Sequence, residues 1–303
     1  MRNFKRCFVA FIIALLFAAE APAQVARVFL SGTGNDANDC TNAATPCRSL
    51  QGAVNQRPVN GEIMIMTSGG YGTVTISKSL SINAPAGVVA FNARTITVAI
   101  AAGDKVVIRG LSMNGTVFAD PNGIDFSNSA GTLVVENSII AGFNTGINQG
   151  SLAGNLLVVQ NCELRNNSGY GVVAFGNVYL NVENSRFEKN TVGMSVEGGA
   201  NAVIRNSVVT GYARSGFGFE VAAVNGKTSN LVIDKCLASN LDTGVRTVQD
   251  LQSTASAQVT NSSITMNSNG LSTSAGGTIV SYLTNQLWNN TVDGSFSSTT
   301  TQN

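Results

Sequence analysis

The stretch LVVENSII at residues 133–140 returns as LVVQNCEL at 157–164 and as LNVENSRF at 180–187. In each copy apolar residues alternate along a short β-rich run that ends in asparagine and a small residue. Four more segments fall into the same frame: VVIRGLSM (106–113), AVIRNSVV (202–209), LVIDKCLA (231–238) and AQVTNSSI (257–264). A weaker copy, IVSYLTNQLW, follows at 279–288. The anchor position, Gly110, Asn137, Asn161, Asn184, Asn206, Lys235 and Asn261, advances by 27, 24, 23, 22, 29 and 26 residues. Between anchors a second motif recurs: NGIDF, TGINQ, YGVVA, VGMSV, FGFEV, TGVRT and NGLST.

Alternation marks strands, and self-similarity at a near-fixed period marks a repeat architecture. One such unit cannot cover its own apolar face, so it must stack on its neighbours. A unit of 22–25 residues, with loops lengthening some coils, fits three short strands per turn. The expected fold is therefore all-β: a right-handed parallel β-helix of about 8–10 coils with a short N-terminal capping helix. Asparagine suits the turns because it tolerates the left-handed region and can stack along a solenoid. A leucine-rich repeat has a similar period, but its leucine frame is missing.

Stacking assigns a role to each column. Ile108, Val135, Val159, Val182, Ile204, Ile233 and Val259 should point inward, as should Met113, Ile140, Leu164, Phe187, Val209, Ala238 and Ile264. Ser138, Cys162, Ser185, Ser207, Cys236 and Ser262 form a small-residue column. Its two cysteines lie three coils apart, roughly 14 Å at ~4.8 Å per coil, too far for a disulfide, and are expected as buried free thiols. Glu163 beside Arg186, and Arg165 beside Glu188, should form cross-strand charge ladders, as should Glu220 beside Arg246.

The N-terminus has a basic start, an apolar run from Phe8 to Ala19 and a small-x-small site at Ala21–Ala23. It is expected to be a signal peptide spanning 1–23, which places the mature chain outside the cell or in the periplasm. No later segment is long and apolar enough to span a bilayer. The remaining divisions expected are an N-terminal strand, disulfide loop and capping helix at 24–60, the solenoid at 61–293, and a disordered polar tail at 294–303. In an oxidising compartment Cys40 and Cys47, close in one loop, should pair. The chain has no histidine, which excludes Ser-His and Cys-His nucleophiles and His-based zinc sites. A formal net charge of +1 gives no electrostatic reason to expect nucleic acid as a partner.

Over roughly 27–295 the chain resembles secreted bacterial right-handed parallel β-helix proteins of the pectin-lyase-like superfamily. VFLSGTGNDANDC, TPCRSLQGAVN and GEIMIMTSGGYGTVTISKSLSI look like the opening segment of many members, in which an amphipathic helix covers the first coil. Here Thr45 would cap that helix, Pro46 would fit its first turn, and Leu50, Ala53 and Val54 would face the core. VVIRGLSM is similar to the pectate-lyase IRG/IRN strand, and LVVENS falls where those enzymes carry a tryptophan-isoleucine-Asp-His stretch. The resemblance implies a calcium-binding carboxylate at Glu136. Asn137 stands in place of the histidine, and the tryptophan is missing.

The column before the anchor, Arg109, Glu136, Gln160, Glu183, Arg205, Asp234 and Thr260, is the expected place for chemistry. In a lyase, Glu136 and Glu183 would hold Ca²⁺ and Arg205 would act as base. In an inverting glycosidase the same two glutamates would be the acid–base pair. Against both readings, the neighbouring outward column is mostly apolar and the one tryptophan, Trp288, lies near the end of the chain. The alternating charges also read as a structural ladder. The sequence therefore favours a non-catalytic module that binds polysaccharide or another envelope component, with the lyase or hydrolase as the alternative. Asp36 and Asp39, in SGTGNDANDC, are candidate metal ligands in a loop that also reads as a run of Asx turns. Asp120 and Asp125 sit on the longest early loop.

Overall fold

The computed structural model describes residues 27–56, 60–151 and 154–301. The expected leader and its cleavage point lie outside these. The chain winds into a parallel β-solenoid of three sheets with 12, 9 and 10 strands, about nine turns in all. Sheet 1 carries the LVVENS-type strands, such as Thr132–Glu136, Leu156–Gln160 and Tyr179–Glu183. Sheet 2 carries the glycine motifs, such as Tyr170–Gly176, Val192–Glu197, Phe217–Ala223 and Thr243–Gln249. Sheet 3 is built from three-residue strands such as Ile139–Ala141 and Glu163–Arg165. Each coil runs from sheet 1 through sheet 3 to sheet 2.

The stacking frame read from the repeats is the frame of the sheets. Glu136 pairs in register with Arg109 on one side and Gln160 on the other, and the series continues to Glu183, Arg205, Asp234 and Thr260. Both inward columns are buried throughout. Every anchor has positive φ, from 48° at Asn261 to 80° at Gly110, so the chain turns there through the left-handed region. Asparagine is among the residues that tolerate that region.

The small-residue column is a hydrogen-bond relay. The Cys162 N–H donates to Ser185 Oγ (3.2 Å), the Ser185 N–H to Ser207 Oγ (3.1 Å) and the Cys236 N–H to Ser262 Oγ (3.0 Å). Each of these serines then donates to the carbonyl two residues back. A second relay, not foreseen from the repeats, runs six residues past the anchors. Asn167 and Asn190 are buried and linked by an amide–amide bond of 3.0 Å, and Asn267 and Asn290 repeat the arrangement at 2.9 Å.

The recurring glycine has a steric cause. At the corner leading into sheet 2, a Cβ on Gly171 would lie 2.5 Å from Gly193 O and 2.7 Å from Phe187 Cδ1. The space that side chain needs is already filled by the sheet 3 core column.

At the N-terminal end, strand Arg27–Leu30 joins sheet 1 and helix α1, Leu50–Gln56, buries Leu50, Ala53 and Val54. The helix begins later than Thr45 and Pro46 suggest. Cys47 is used first as extended chain: its N–H donates to Phe29 O (2.9 Å) and its carbonyl accepts from the Ser31 N–H (2.9 Å). The cap is then Ser49, whose hydroxyl accepts from the Gly52 N–H (3.0 Å). Cys40 and Cys47 are joined by a disulfide. At the other end, the segment read as a polar tail adds a short strand, Ser298–Thr299, beside Thr278–Ser281, while Phe296 packs on the core. This supplies partners to a sheet edge that would otherwise present unpaired N–H and C=O groups.

Candidate functional site

Sheet 1 brings the expected column together, and four of its five charged residues pair with one another. Arg109 Nε sits 2.6 Å from Glu136 Oε2, and Arg205 Nε sits 3.8 Å from Asp234 Oδ2. Glu136 and Glu183 are two coils apart, separated by Gln160. Among the described residues, the Glu183 carboxylate has no hydrogen-bond or ion-pair partner. It borders a depression of about 210 Å³ lined by Val158, Gln160, Asn181, Val203 and Arg205. An enclosing small-molecule site typically has ~300 Å³ or more.

The other expected positions are held by local structure. Asp36 Oδ1 accepts from the N–H groups of Arg48 (2.7 Å) and Ser49 (2.9 Å), and Oδ2 accepts from the Ser49 hydroxyl (2.7 Å). Asp39 closes an Asx turn onto the Thr41 N–H at 3.1 Å. Asp120 pairs with Arg94 (3.2 Å), and Asp125 accepts from Asn148 Nδ2 (3.1 Å). Among the described residues, no three His, Cys, Asp or Glu side chains gather as a metal site, and the pairing of Glu136 with Arg109 does not fit a calcium ligand set. The charge ladders on sheet 3 resolve differently from expectation. Arg165 pairs with Glu163 (2.6 Å) and Arg186 with Glu188, each along its own strand, although the cross-strand register is as read. Residues at i and i+2 point to the same face, so each arginine has a glutamate within reach on its own strand as well as on the next.

The denser cluster lies on the outer face of sheet 2. Glu220 and Arg246 are cross-strand neighbours, with Arg246 Nε 3.0 Å from Glu220 Oε2. This is a charge contact without the alignment of a hydrogen bond. The guanidinium lies over the Phe217 ring, 4.3 Å from its centroid. On the preceding coil, buried Ser195 has its hydroxyl 2.7 Å from Glu197 Oε1 and 3.2 Å from Glu220 Oε1. One hydroxyl proton thus faces two carboxylates. Burial pushes the Glu220 carboxyl up from its ordinary value; the Arg246 guanidinium opposes this and Glu197 reinforces it. The Tyr170 phenol is also pushed up, chiefly by burial and then by Glu197 and Glu220.

Beside these groups stands Phe175, half exposed, paired in register with Glu197. Its ring lies against Gly198, where φ is +59° and a Cβ would come within 2.6 Å of Phe175 Cε2. Gly198 therefore leaves room for the ring to pack against the turn. This face carries two carboxylates, a guanidinium and three aromatic rings, with Phe175 beside Glu197 toward one end of the strands and Tyr170 and Phe217 toward the other.

Of this cluster, the repeats pointed only to Glu220 and Arg246, as a ladder. Ser195 and Tyr170 lie within the recurring motifs, and Glu197 and Phe175 lie one residue past them. Outward positions there do not repeat from coil to coil, so the periodicity gives no signal for them.

Residues 61–217 and 151–303 match the model of a family described as right handed beta helix region. The chain matches no curated protein. Among solved structures it is similar to pectate lyase Pel9A, at 15% identity and a TM-score of 0.47, over 84% of this chain and 77% of that one. It is similar to the GH136 lacto-N-biosidase from Eubacterium ramulus at 10% identity and a TM-score of 0.43, over 100% and 71% of the two chains. A rhamnogalacturonan lyase follows at 12% identity and a TM-score of 0.43, over 89% and 88%.

Proposed function

We propose that this chain, which belongs to the right-handed β-helix family, is a polysaccharide-binding module that seats an extended sugar chain on the outer face of sheet 2. The observation that carries the reading is the half-exposed Phe175 ring packed against Gly198 with Glu197 beside it. An aromatic face receives the C–H side of a pyranose, and the carboxylate beside it takes that sugar's hydroxyls, while Glu220 and Arg246, farther along the sheet, face other residues of an extended chain. A solenoid also presents such groups on a rigid surface, so little order is lost on binding. The expected leader and the Cys40–Cys47 disulfide support a place outside the cytosol. No helix among the described residues is long and apolar enough to cross a membrane.

A glycan array tests this directly. The wild-type chain should bind a polysaccharide family, and Phe175→Ala should weaken that binding about tenfold, equivalent to about 1.4 kcal/mol. An array without hits, or a Phe175→Ala profile like wild type, refutes the reading.

A second reading, hydrolysis, is favoured by Ser195 standing between Glu197 and Glu220. Two carboxyls in unequal environments, one with a raised pKa, are the ingredients of an acid and a nucleophile or base. Reducing ends released from a bound polymer, and lost in both Glu197→Gln and Glu220→Gln, would establish it. A flat assay on every polymer that binds leaves the binding role. The lyase alternative on sheet 1 has weaker support: its base would be Arg205, which faces Asp234, and its ligand Glu136 is already paired with Arg109. Absorbance from unsaturated ends on uronate polymers, with and without Ca²⁺, tests it.

A further inference from the structure

The anchor asparagines have an explanation in backbone geometry, but that explanation is incomplete. The left-handed turn does not require an amide: Gly110 occupies it with φ 80° and Lys235 with φ 54°. Between those two coils the chain keeps asparagine four times in succession, at Asn137, Asn161, Asn184 and Asn206. All four side chains are exposed at the corner between sheets 1 and 3, and among the described residues none of their amides has a hydrogen-bond partner. Asn261, outside the run, is different, because its amide donates to Asp234 Oδ1 at 3.0 Å. So are the buried asparagines of the inner relay, whose amides bond one another and main-chain carbonyls.

The free amides border a concavity. A hollow of about 400 Å³ runs along Asn137, Asn161 and Asn184 and is bounded on the sheet 3 side by Ile139, Glu163 and Arg186. Its charges are neutralised within their own strands, Glu163 by Arg165 and Arg186 by Glu188. Ile139 gives it an exposed apolar wall. The amides repeat at the coil spacing of ~4.8 Å, close to the length of one pyranose residue in an extended chain. Each amide offers two donors and an acceptor, a match for the paired hydroxyls of a sugar.

We infer that this corner is a second glycan-binding site, which holds an uncharged, hydroxyl-rich polysaccharide parallel to the solenoid axis, one sugar per coil. It is separate from the Phe175 face, and neither site needs the other. The lining distinguishes its ligand from an acidic polymer, since among the described residues the one cation at the hollow, Arg186, is already paired with Glu188.

The natural glycine at 110 supplies the test. An Asn161→Gly/Asn184→Gly double variant deletes two amides while keeping residues that accept the same φ. Affinity gel electrophoresis of the full chain would use mixed-linkage β-glucan and arabinoxylan as neutral probes and polygalacturonate as the acidic one. The expected result is retardation of the wild type by a neutral polymer, at least about tenfold weaker in the double variant, with an unchanged thermal midpoint. Phe175→Ala should leave that retardation intact. Three results would overturn the inference: no retardation of the wild type by either neutral polymer, full retardation of the double variant, or loss of retardation in Phe175→Ala. Only the last of these would assign the neutral polymer to the sheet 2 face; loss of array binding in Phe175→Ala bears on the proposed function alone.

Discussion

Replacing Arg246 with alanine isolates the electrostatics of the sheet 2 cluster. Glu220 keeps only 10% of its side-chain surface exposed, and Arg246 a third. Removing one member of a fully buried ion pair costs about 3–5 kcal/mol. The partial exposure of Arg246 and the misaligned contact reduce that to about 1–3 kcal/mol near pH 7. Loss of the stack on Phe217 adds about 0.5–1 kcal/mol that does not depend on pH. The sign follows from Glu220. Its carboxyl is raised above the ordinary value of 4.5 in the folded chain, so the native state binds more protons than the unfolded one. Its contribution is fully present below that value and is lost as pH rises through the folded pKa. Without Arg246 the largest opposing influence disappears, and the loss on raising pH should deepen. Urea unfolding at about pH 4 and about pH 7 reads this difference. Arg246→Ala should be mildly destabilised at the lower pH and clearly so at the higher, and adding Glu220→Gln should restore most of the difference. An equal loss at both pH values, or no recovery in the double variant, would refute the argument.

Three further outcomes follow from the packing and from sheet 1. Gly171→Ala places a Cβ 2.5 Å from a main-chain oxygen that cannot retreat without moving a strand; a destabilisation of about 1–3 kcal/mol is expected in urea unfolding, and a neutral result would contradict the close-packed corner. Burial pushes the Cys162 thiol up to about 11 and the Cys236 thiol up to about 12, so at about pH 8 a thiol reagent should reach neither until the chain is unfolded; rapid labelling of the native chain would place them elsewhere. Glu183→Gln should change stability by less than about 0.5 kcal/mol and Glu136→Gln, which loses a half-exposed ion pair, by about 1 kcal/mol or less, with glycan binding unaltered in both. Loss of binding in Glu183→Gln would return the site to sheet 1.

The fold was legible because a solenoid converts sequence period directly into spatial register. Valine, isoleucine and leucine at the inward columns, asparagine at the left-handed turn and serine in the relay each recur since every coil poses the same packing problem. The corner glycine belongs to this set, although its cause, the prior claim of Phe187 and its column mates on the space, shows only in three dimensions. The start of α1 lies later than the sequence suggests for a tertiary reason: Thr45 and Pro46 look like a helix start, but Cys47 is drawn into pairing with Phe29 and Ser31. The site was poorly legible for the opposite reason. The two VENS copies drew attention to Glu136 and Glu183 through repetition, yet repetition marks what the scaffold needs. Glu197, Ser195 and Phe175 occur once each at outward positions, where packing asks for nothing, and only the adjacency of coils 170–176, 192–197, 217–223 and 243–249 gathers them.

A crystal structure of the chain with the oligosaccharide that binds it best on a glycan array tests the central claim most directly. The result expected is a pyranose ring in van der Waals contact with Phe175, its hydroxyls within hydrogen-bond reach of Glu197. Sugar seated instead over the Glu183–Arg205 depression, with the Phe175 face bare, would contradict it.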